Sequence, residues 1–483
     1  MVKSAAIAAV AAVFATAAGC SSDAARSDAR TPSVILIVLD TLRADHLGCY
    51  GYERGTSPNI DAFASGATRY AHAMSTAPWT LPSHASMFTG KYPFEHGAHS
   101  FKVERFRKRN ANPLDARELT LAEALRDEGY QTAAFVCNIG YLGKWTQLDQ
   151  GFDVYELPRK IISAKKWNPR IFEWLEKRRD KNKPFFLFVN FMDVHRPYNS
   201  AARPGFLEPK GHPGKLLTEL TERVMPGKLP PPKDLQQQVI DHYDTALANL
   251  DEQVQRLLDK LKELELYDDS IVIVAADHGE YFGEHALVEH SKDLYQPAVA
   301  VPLIVKNPRQ RSGGVNETPV DLTVLPNLVV SQLPAQHAKR LTAAFPNAPG
   351  VNKPFVENYY SRTKDLFGKP WSARFDRIRT ATYDWPYKYI RSSDGANECY
   401  DLEHDPGELE NLLVSRPDLT RRLAAALDAF EQTRRRAQID TATVGEHTAA
   451  ELKAMRDLGY VGNDDESDEA ATTRPASDDP TKP

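Results

Sequence analysis

The chain has 483 residues, room for a large catalytic domain and a smaller partner domain. Its composition is that of an ordinary globular protein. The 60 Lys and Arg against 65 Asp and Glu leave a net charge of −5, which gives no basis for a nucleic-acid partner.

Residues 1–19 read as a secretory signal: Lys3 precedes an apolar, Ala-rich run that closes on Ala17-Ala18-Gly19-Cys20. Gly19-Cys20 resembles a bacterial lipobox, with Ala17 where Leu is preferred. The resemblance implies cleavage before Cys20, lipid on its thiol, and residues 20–32 as a polar tether. The product would be a membrane-anchored, periplasm-facing lipoprotein of the cell envelope. Simple secretion with cleavage near Ala18 is the plainer alternative. No later stretch has the length of a membrane-spanning helix. Cys49, Cys137 and Cys399 remain, an odd count without short spacing, which argues against a disulfide framework or a zinc ribbon.

Val34–Leu39 is a short continuous apolar run, the pattern of a strand buried on both faces, and it stops at Asp40. Residues 119–128 have helical spacing and end at Gly129; 132–136 then read as a strand. The buried-strand pattern returns at 184–191 and 270–275. Between them, 236–266 puts Val239, Tyr243, Leu247, Leu250, Val254, Leu257 and Leu261 on one face of a long amphipathic helix. Strands alternating with helices predict an α/β fold with a doubly wound, mostly parallel sheet. The insert 200–233, rich in proline, is expected to be irregular: a lid over a site, or a surface excursion. Short segments at 377–383, 387–391 and 398–402 suggest a small antiparallel sheet, followed by a helix over 417–437. The expected boundaries are a catalytic domain at 33–370, a C-terminal subdomain at 371–462, and a disordered acidic tail at 463–483.

Polar groups gather just after the predicted strands, where an open parallel sheet binds its ligands. Asp40 follows the first strand, Asn138 follows 132–136, His195 follows 184–191, and Asp277-His278 follow 270–275. One such carboxylate alone is more often a cap or turn residue; several at one sheet edge favour a site.

Residues 75–92 read Ser-Thr-Ala-Pro-Trp-Thr-Leu-Pro-Ser-His-Ala-Ser-Met-Phe-Thr-Gly-Lys-Tyr. This loop, the Asp40-to-Gly51 segment, Asp277-His278-Gly279-Glu280 and Tyr400-to-Pro406 together resemble the sulfatase family of the alkaline phosphatase superfamily. They stand in the family's order and span most of the chain from Ser33 to about Leu412. The resemblance implies a doubly wound sheet with a small C-terminal sheet and helix, and a metal-dependent hydrolase of sulfate or phosphate esters.

Carried over position by position, Asp40, Asp277, His278 and Thr80 would hold one divalent ion. The imidazole of His278 shifts preference from an all-oxygen calcium set toward manganese, zinc or iron, with calcium still open. Thr41 replaces a second Asp and is not counted as a ligand. Thr80 stands at the nucleophile position, activated by the metal and by the start of a helix; alone it would read as a helix cap. His84 replaces the family's Arg and would contact the nucleophile or the ester. His195 would donate to the ester or protonate the leaving group. Lys306, at the end of Val301-Pro302-Leu303-Ile304-Val305-Lys306, matches a substrate-binding lysine; His290 and Asn138 are further substrate contacts. Lys306 as a solvated strand end, and His290 and His285 as loop histidines, remain open.

Sulfatases oxidise the loop Cys or Ser to formylglycine, whose hydrate supplies a second hydroxyl to expel sulfate. Thr80 carries a methyl group on its β-carbon and cannot form that aldehyde, so no formylglycine is expected. An unmodified Thr can still form a covalent ester that water or another acceptor must release, a route phosphorus supports well. The sequence therefore points to phosphoester hydrolysis or phosphoryl transfer on small-molecule, glycan or lipid-head-group esters. A sulfatase without formylglycine, or an inactive binding lipoprotein of the same fold, are the alternatives.

Overall fold

A computed structural model of the chain describes residues 31–100, 111–203, 205–227, 230–345, 351, 353–360, 369–434 and 453. The signal, Cys20, all of the tether but its last two residues, and the acidic tail therefore lie outside the described residues. Met1–Thr31 and Pro32–Pro483 are separate units, and every described strand and helix belongs to the second.

The strands of the main sheet are, in chain order, β1 (Val34–Leu39), β2 (Thr68–Tyr70), β3 (Gln131–Val136), β4 (Val154–Glu156), β5 (Phe185–Phe191), β6 (Ile271–Ala275), β7 (Leu303–Lys306) and β8 (Gly314–Asn316). They lie in the order β8-β2-β7-β6-β1-β5-β3-β4. β6, β1, β5, β3 and β4 run parallel, as expected for runs such as Val-Ile-Leu-Ile-Val-Leu and Ile-Val-Ile-Val-Ala that are buried on both faces. β7 runs antiparallel to both of its neighbours, a reversal that decides where Lys306 lies.

Helices cover the sheet. α1 (Thr80–Thr89) is buried along its whole length and ends on Gly90 at φ 67°, a left-handed cap that suits glycine. Within the proline-rich insert the structure places a regular helix, α2 (Pro213–Val224), correcting the expectation of an irregular excursion. Pro213 opens the helix at its first position, where no amide donor is needed, and Leu217, Leu220 and Val224 share its buried face. α3 (Lys233–Glu263) is the long amphipathic helix; it buries Val239, Tyr243, Leu247, Leu250, Val254, Leu257 and Leu261. Each such side chain removed from water stabilises the fold by about 1.5–3 kcal/mol before entropy is counted.

The small antiparallel sheet has four strands, β9 (Phe355–Tyr359), β10 (Ile378–Asp384), β11 (Tyr387–Ser392) and β12 (Glu398–Asp401), paired in sequence order. Its edge strand starts well before residue 371, so the subdomain draws in chain expected to belong to the catalytic domain. α4 (Pro417–Thr433) packs on this sheet through Leu419, Leu423 and Leu427. Among the described residues no helix is long and apolar enough to cross a membrane.

Candidate active site

Register brings the chemistry to one edge. Leu39 of β1 pairs with Phe191, Val38 with Ala275, and Val136 of β3 with Asn190. The residues that come after these strands (Asp40, Asp277, Asn138, His195) therefore leave the sheet side by side. All are buried. The turn after β1 is strained: Thr41 has φ 61°, uncommon for a β-branched residue. That conformation aims the Thr41 amide at Asp277 Oδ1 (3.1 Å), and Tyr243 Oη of α3 secures it by donating to the Thr41 carbonyl (2.9 Å). The Thr41 hydroxyl lies against the carbonyls of Asp40 and Val194 (2.7 and 2.9 Å), which takes it out of any ligand set.

Asp40, Asp277 and His278 place ligand atoms within 4.8 Å of one another. His278 Nδ1 lies 2.9 Å from the Gly279 carbonyl and donates to it, so Nε2 carries the lone pair. Nε2 lies 3.4 Å from Asp277 Oδ2, 3.9 Å from Asp40 Oδ1 and 3.4 Å from Thr80 Oγ1. Among the described residues, Asp40 Oδ1 and Asp277 Oδ2 have no hydrogen-bond partner although both are buried. Burial is the main reason their carboxyls are pushed up, Asp40 to about 8 and Asp277 to about 7. Two orphaned carboxylate oxygens, one imidazole lone pair and one hydroxyl form a donor set that fits a divalent cation, whose charge would restore both ionised carboxylates.

Thr80 is the first residue of α1, and no side chain among the described residues caps that helix start. Asn138 Nδ2 donates to Asp40 Oδ2 (2.9 Å) and reaches Thr80 Oγ1 (3.3 Å). Asn190, a polar residue inside the apolar strand β5, holds Asn138 by accepting its amide (3.0 Å) and reaches Asp40 Oδ2 at 3.4 Å. Reading apolar runs as strands passes over Asn190; its signal is the break in Phe-Phe-Leu-Phe-Val-Asn-Phe.

His84 lies on α1, one turn after Thr80. Its Nδ1 donates back to the Thr80 carbonyl (2.9 Å) and its ring packs edge-on against Phe88 and Phe188. Burial pushes it down to about 3, so it is neutral. Its Nδ1 braces the start of α1, 3.6 Å from Asp277 Oδ2, while its Nε2 is buried without a hydrogen-bond partner among the described residues.

His195 and His290 stand together with ring centres 5.0 Å apart, and the His290 ring is 4.7 Å from that of His278. Burial drives His195 well below the usual histidine range. His290 Nδ1 meets Glu280 Oε1 at 3.0 Å, both groups buried. Sequence reasoning misses Glu280, and it misses buried Lys292, whose Nζ donates to the His290 carbonyl (3.2 Å) and lies 3.6 Å from Glu289. His285 stays outside: its ring stacks on Tyr295 at 3.6 Å and its Nε2 meets the Gly407 carbonyl.

Lys306 is not in the site. Because β7 is antiparallel, Lys306 pairs with Val272, toward the start of β6, while the site lies past its end. Its Nζ donates to the carbonyls of Tyr267, Asp268 and Ser270 (2.6, 2.6 and 3.2 Å).

Known proteins share both this sequence pattern and this fold. A model of the sulfatase family matches residues 32–333. An ulvan-active sulfatase of Formosa agariphila is 25% identical over 427 residues, covering 79% of this chain and 77% of that protein. An N-acetylglucosamine-6-O-sulfatase of Bacteroides thetaiotaomicron is 22% identical over 513 residues, covering 85% and 87%. Among solved structures, the phosphonate monoester hydrolase of Agrobacterium radiobacter superposes with a TM-score of 0.63 at 19% identity, over 83% of this chain and 96% of that one.

Proposed function

The chain belongs to the sulfatase family of hydrolases, and from that premise we propose that it cleaves phosphate or sulfate esters through an unmodified Thr80, with phosphoesters favoured. The observation that carries this reading is the convergence of Thr80 Oγ1 with the Asp40–Asp277–His278 cluster, in which two buried carboxylate oxygens lack partners among the described residues. Asp40, Asp277, His278 and Thr80 would hold one divalent ion, which lowers the pKa of a hydroxyl and withdraws charge from ester oxygens.

The chain's own residues supply the rest. Thr80 Oγ, having given its proton to solvent, attacks phosphorus, forming a Thr80–O–P bond as the bond from phosphorus to the leaving oxygen breaks. Asn138, within reach of Thr80 Oγ1 and bonded to Asp40, orients the nucleophile and steadies the carboxylate beside it. His290, its orientation fixed by Glu280, lies against the cluster, where a leaving oxygen would need its proton, and the neutral His195 beside it can offer a hydrogen bond to the ester. Lys292, on the same segment, holds the His290 carbonyl with its Nζ (3.2 Å). Thr80 has no second hydroxyl with which to expel the transferred group, so water or an acceptor alcohol must attack the covalent ester and release it. That demand favours phosphorus. Sulfate esters of glycans are the second reading, favoured by the ulvan-active and N-acetylglucosamine-6-O relatives.

Turnover of matched aryl sulfate, phosphate monoester and phosphodiester substrates, with calcium, manganese or zinc and with Thr80→Ala alongside, tests the proposal. Phosphoester turnover lost in Thr80→Ala is expected. Sulfate turnover alone would reverse the preference, and activity surviving in Thr80→Ala would remove Thr80 from the mechanism. The lipobox resemblance supports anchoring to the envelope membrane through Cys20, within reach of glycans and lipid head groups. Lipid mass on the Cys20 peptide is expected, and an unmodified N-terminus cleaved near Ala18 would contradict it.

A further inference from the structure

The segment 288–296 carries His290 and Lys292 on a backbone far from ordinary geometry. Glu289 and Ser291 have φ of 63° and 68°, a region that non-glycine residues keep only where their surroundings over-determine it. Past Ser291 the segment is gripped by the C-terminal sheet. Asp293 Oδ2 accepts from Arg377 and Arg379 (2.8 and 3.4 Å). Lys388 of β11 donates to the Leu294 carbonyl (2.5 Å), and Glu408, which lies beyond β12, accepts from the Gln296 amide (2.6 Å). Lys388 and Glu408 also pair with each other at 2.6 Å, both side chains fully buried. Glu408 itself sits at φ 56°.

A buried ion pair seldom stabilises a fold more than apolar side chains of the same volume would. This one commits two charges to fixing two backbone groups of a single strained segment. We infer that Lys388 and Glu408 are positioning residues: through Leu294 and Gln296 they hold the segment so that His290, its carbonyl held by Lys292, stands against the Asp40–Asp277–His278 cluster. The C-terminal sheet is then a working part of the site. The inference rests on the proposed ester chemistry for its kinetic readout, and on backbone geometry for the rest.

Full-length, metal-loaded protein carrying Glu408→Gln tests it, read well below the variant's unfolding temperature. Glutamine still accepts from Gln296 but breaks the charge pair. Should that variant fail to fold, Lys388→Met combined with Glu408→Gln removes both charges together. Arg391→Met serves as control on the same strand, since Arg391 is turned toward Asp428, Glu431 and the Ala424 carbonyl of α4. Glu408→Gln is expected to lower kcat/KM by about 10- to 100-fold, with metal per chain unchanged and amide hydrogen exchange raised over 291–296. Arg391→Met should move neither quantity. Unchanged kcat/KM in Glu408→Gln, whether or not exchange rises, overturns the positioning role. If the wild type turns over no ester, the proposed function fails separately. Exchange then decides alone: raised over 291–296 supports the grip, unchanged removes it.

Discussion

Lys306→Met separates a lysine that serves the fold from one that serves the substrate. Methionine keeps most of the side-chain volume and removes the charge. Lys306 Nζ is the donor for three carbonyls, those of Tyr267, Asp268 and Ser270. Hydrogen bonds from a charged donor contribute about 1.5–3 kcal/mol each, net of water. The lysine's own desolvation, visible in a pKa pushed down to about 8 by burial, offsets part of that sum. A net loss of about 2–4 kcal/mol of stability is the expectation. The effect on catalysis should be slight: Lys306 pairs with Val272, roughly five residues before Asp277 along the strand direction, or about 16 Å. That is far beyond the reach of a hydrogen bond. Urea unfolding should therefore show a lowered midpoint, while kcat/KM at room temperature stays within about twofold of wild type. A KM raised about tenfold with the midpoint unmoved would refute the placement of Lys306 away from the site.

Metal binding should depend on pH with a definite sign. The raised carboxyls of Asp40 and Asp277 hold protons that a cation must displace, so apparent affinity should climb as pH rises to about 8 and flatten above it. In metal-free protein the sign is opposite. Folded-state values above the ordinary 3.8 give a stabilisation complete below it and lost as pH rises through about 7 and about 8. Calorimetric titration with calcium, manganese or zinc in buffers of different ionisation heat reads the proton release; pH-independent affinity would contradict it. Asn138→Ala removes the donor to Asp40 Oδ2 and the acceptor for the Tyr141 amide. It should cost about 1–3 kcal/mol of stability and lower turnover about 10- to 100-fold; a stability loss with full turnover would make Asn138 a turn residue only.

Much of the fold and the site is legible in the sequence, and the failures share a cause. Runs such as Val34–Leu39 and the spacing over α3 fix elements because burial on a face is a local pattern. The residues after β1, β5 and β6 can be gathered at one edge because parallel strands end on the same side. Lys306 is misplaced by sequence because strand direction is not local: an apolar run ending in lysine looks the same whichever way the strand points. Lys292 and Glu280 escape because the path of 288–296 is set by Asp293, Leu294 and Gln296 meeting residues about a hundred positions later. The loop motif names His84 but not the bond from its Nδ1 to the carbonyl one helical turn back, which the helix geometry makes. The helix in the insert is hidden by counting prolines without asking which of them opens a helix.

The central claim is that Thr80, unmodified, is the nucleophile. The most direct measurement is the mass of the Thr80-containing peptide from protein quenched in acid during turnover of a phosphoester. The account predicts threonine at position 80 in resting enzyme, and one added phosphoryl group on that peptide during turnover, absent from Thr80→Ala. Steady turnover with no adduct under any quench, or an adduct on another residue, would contradict it.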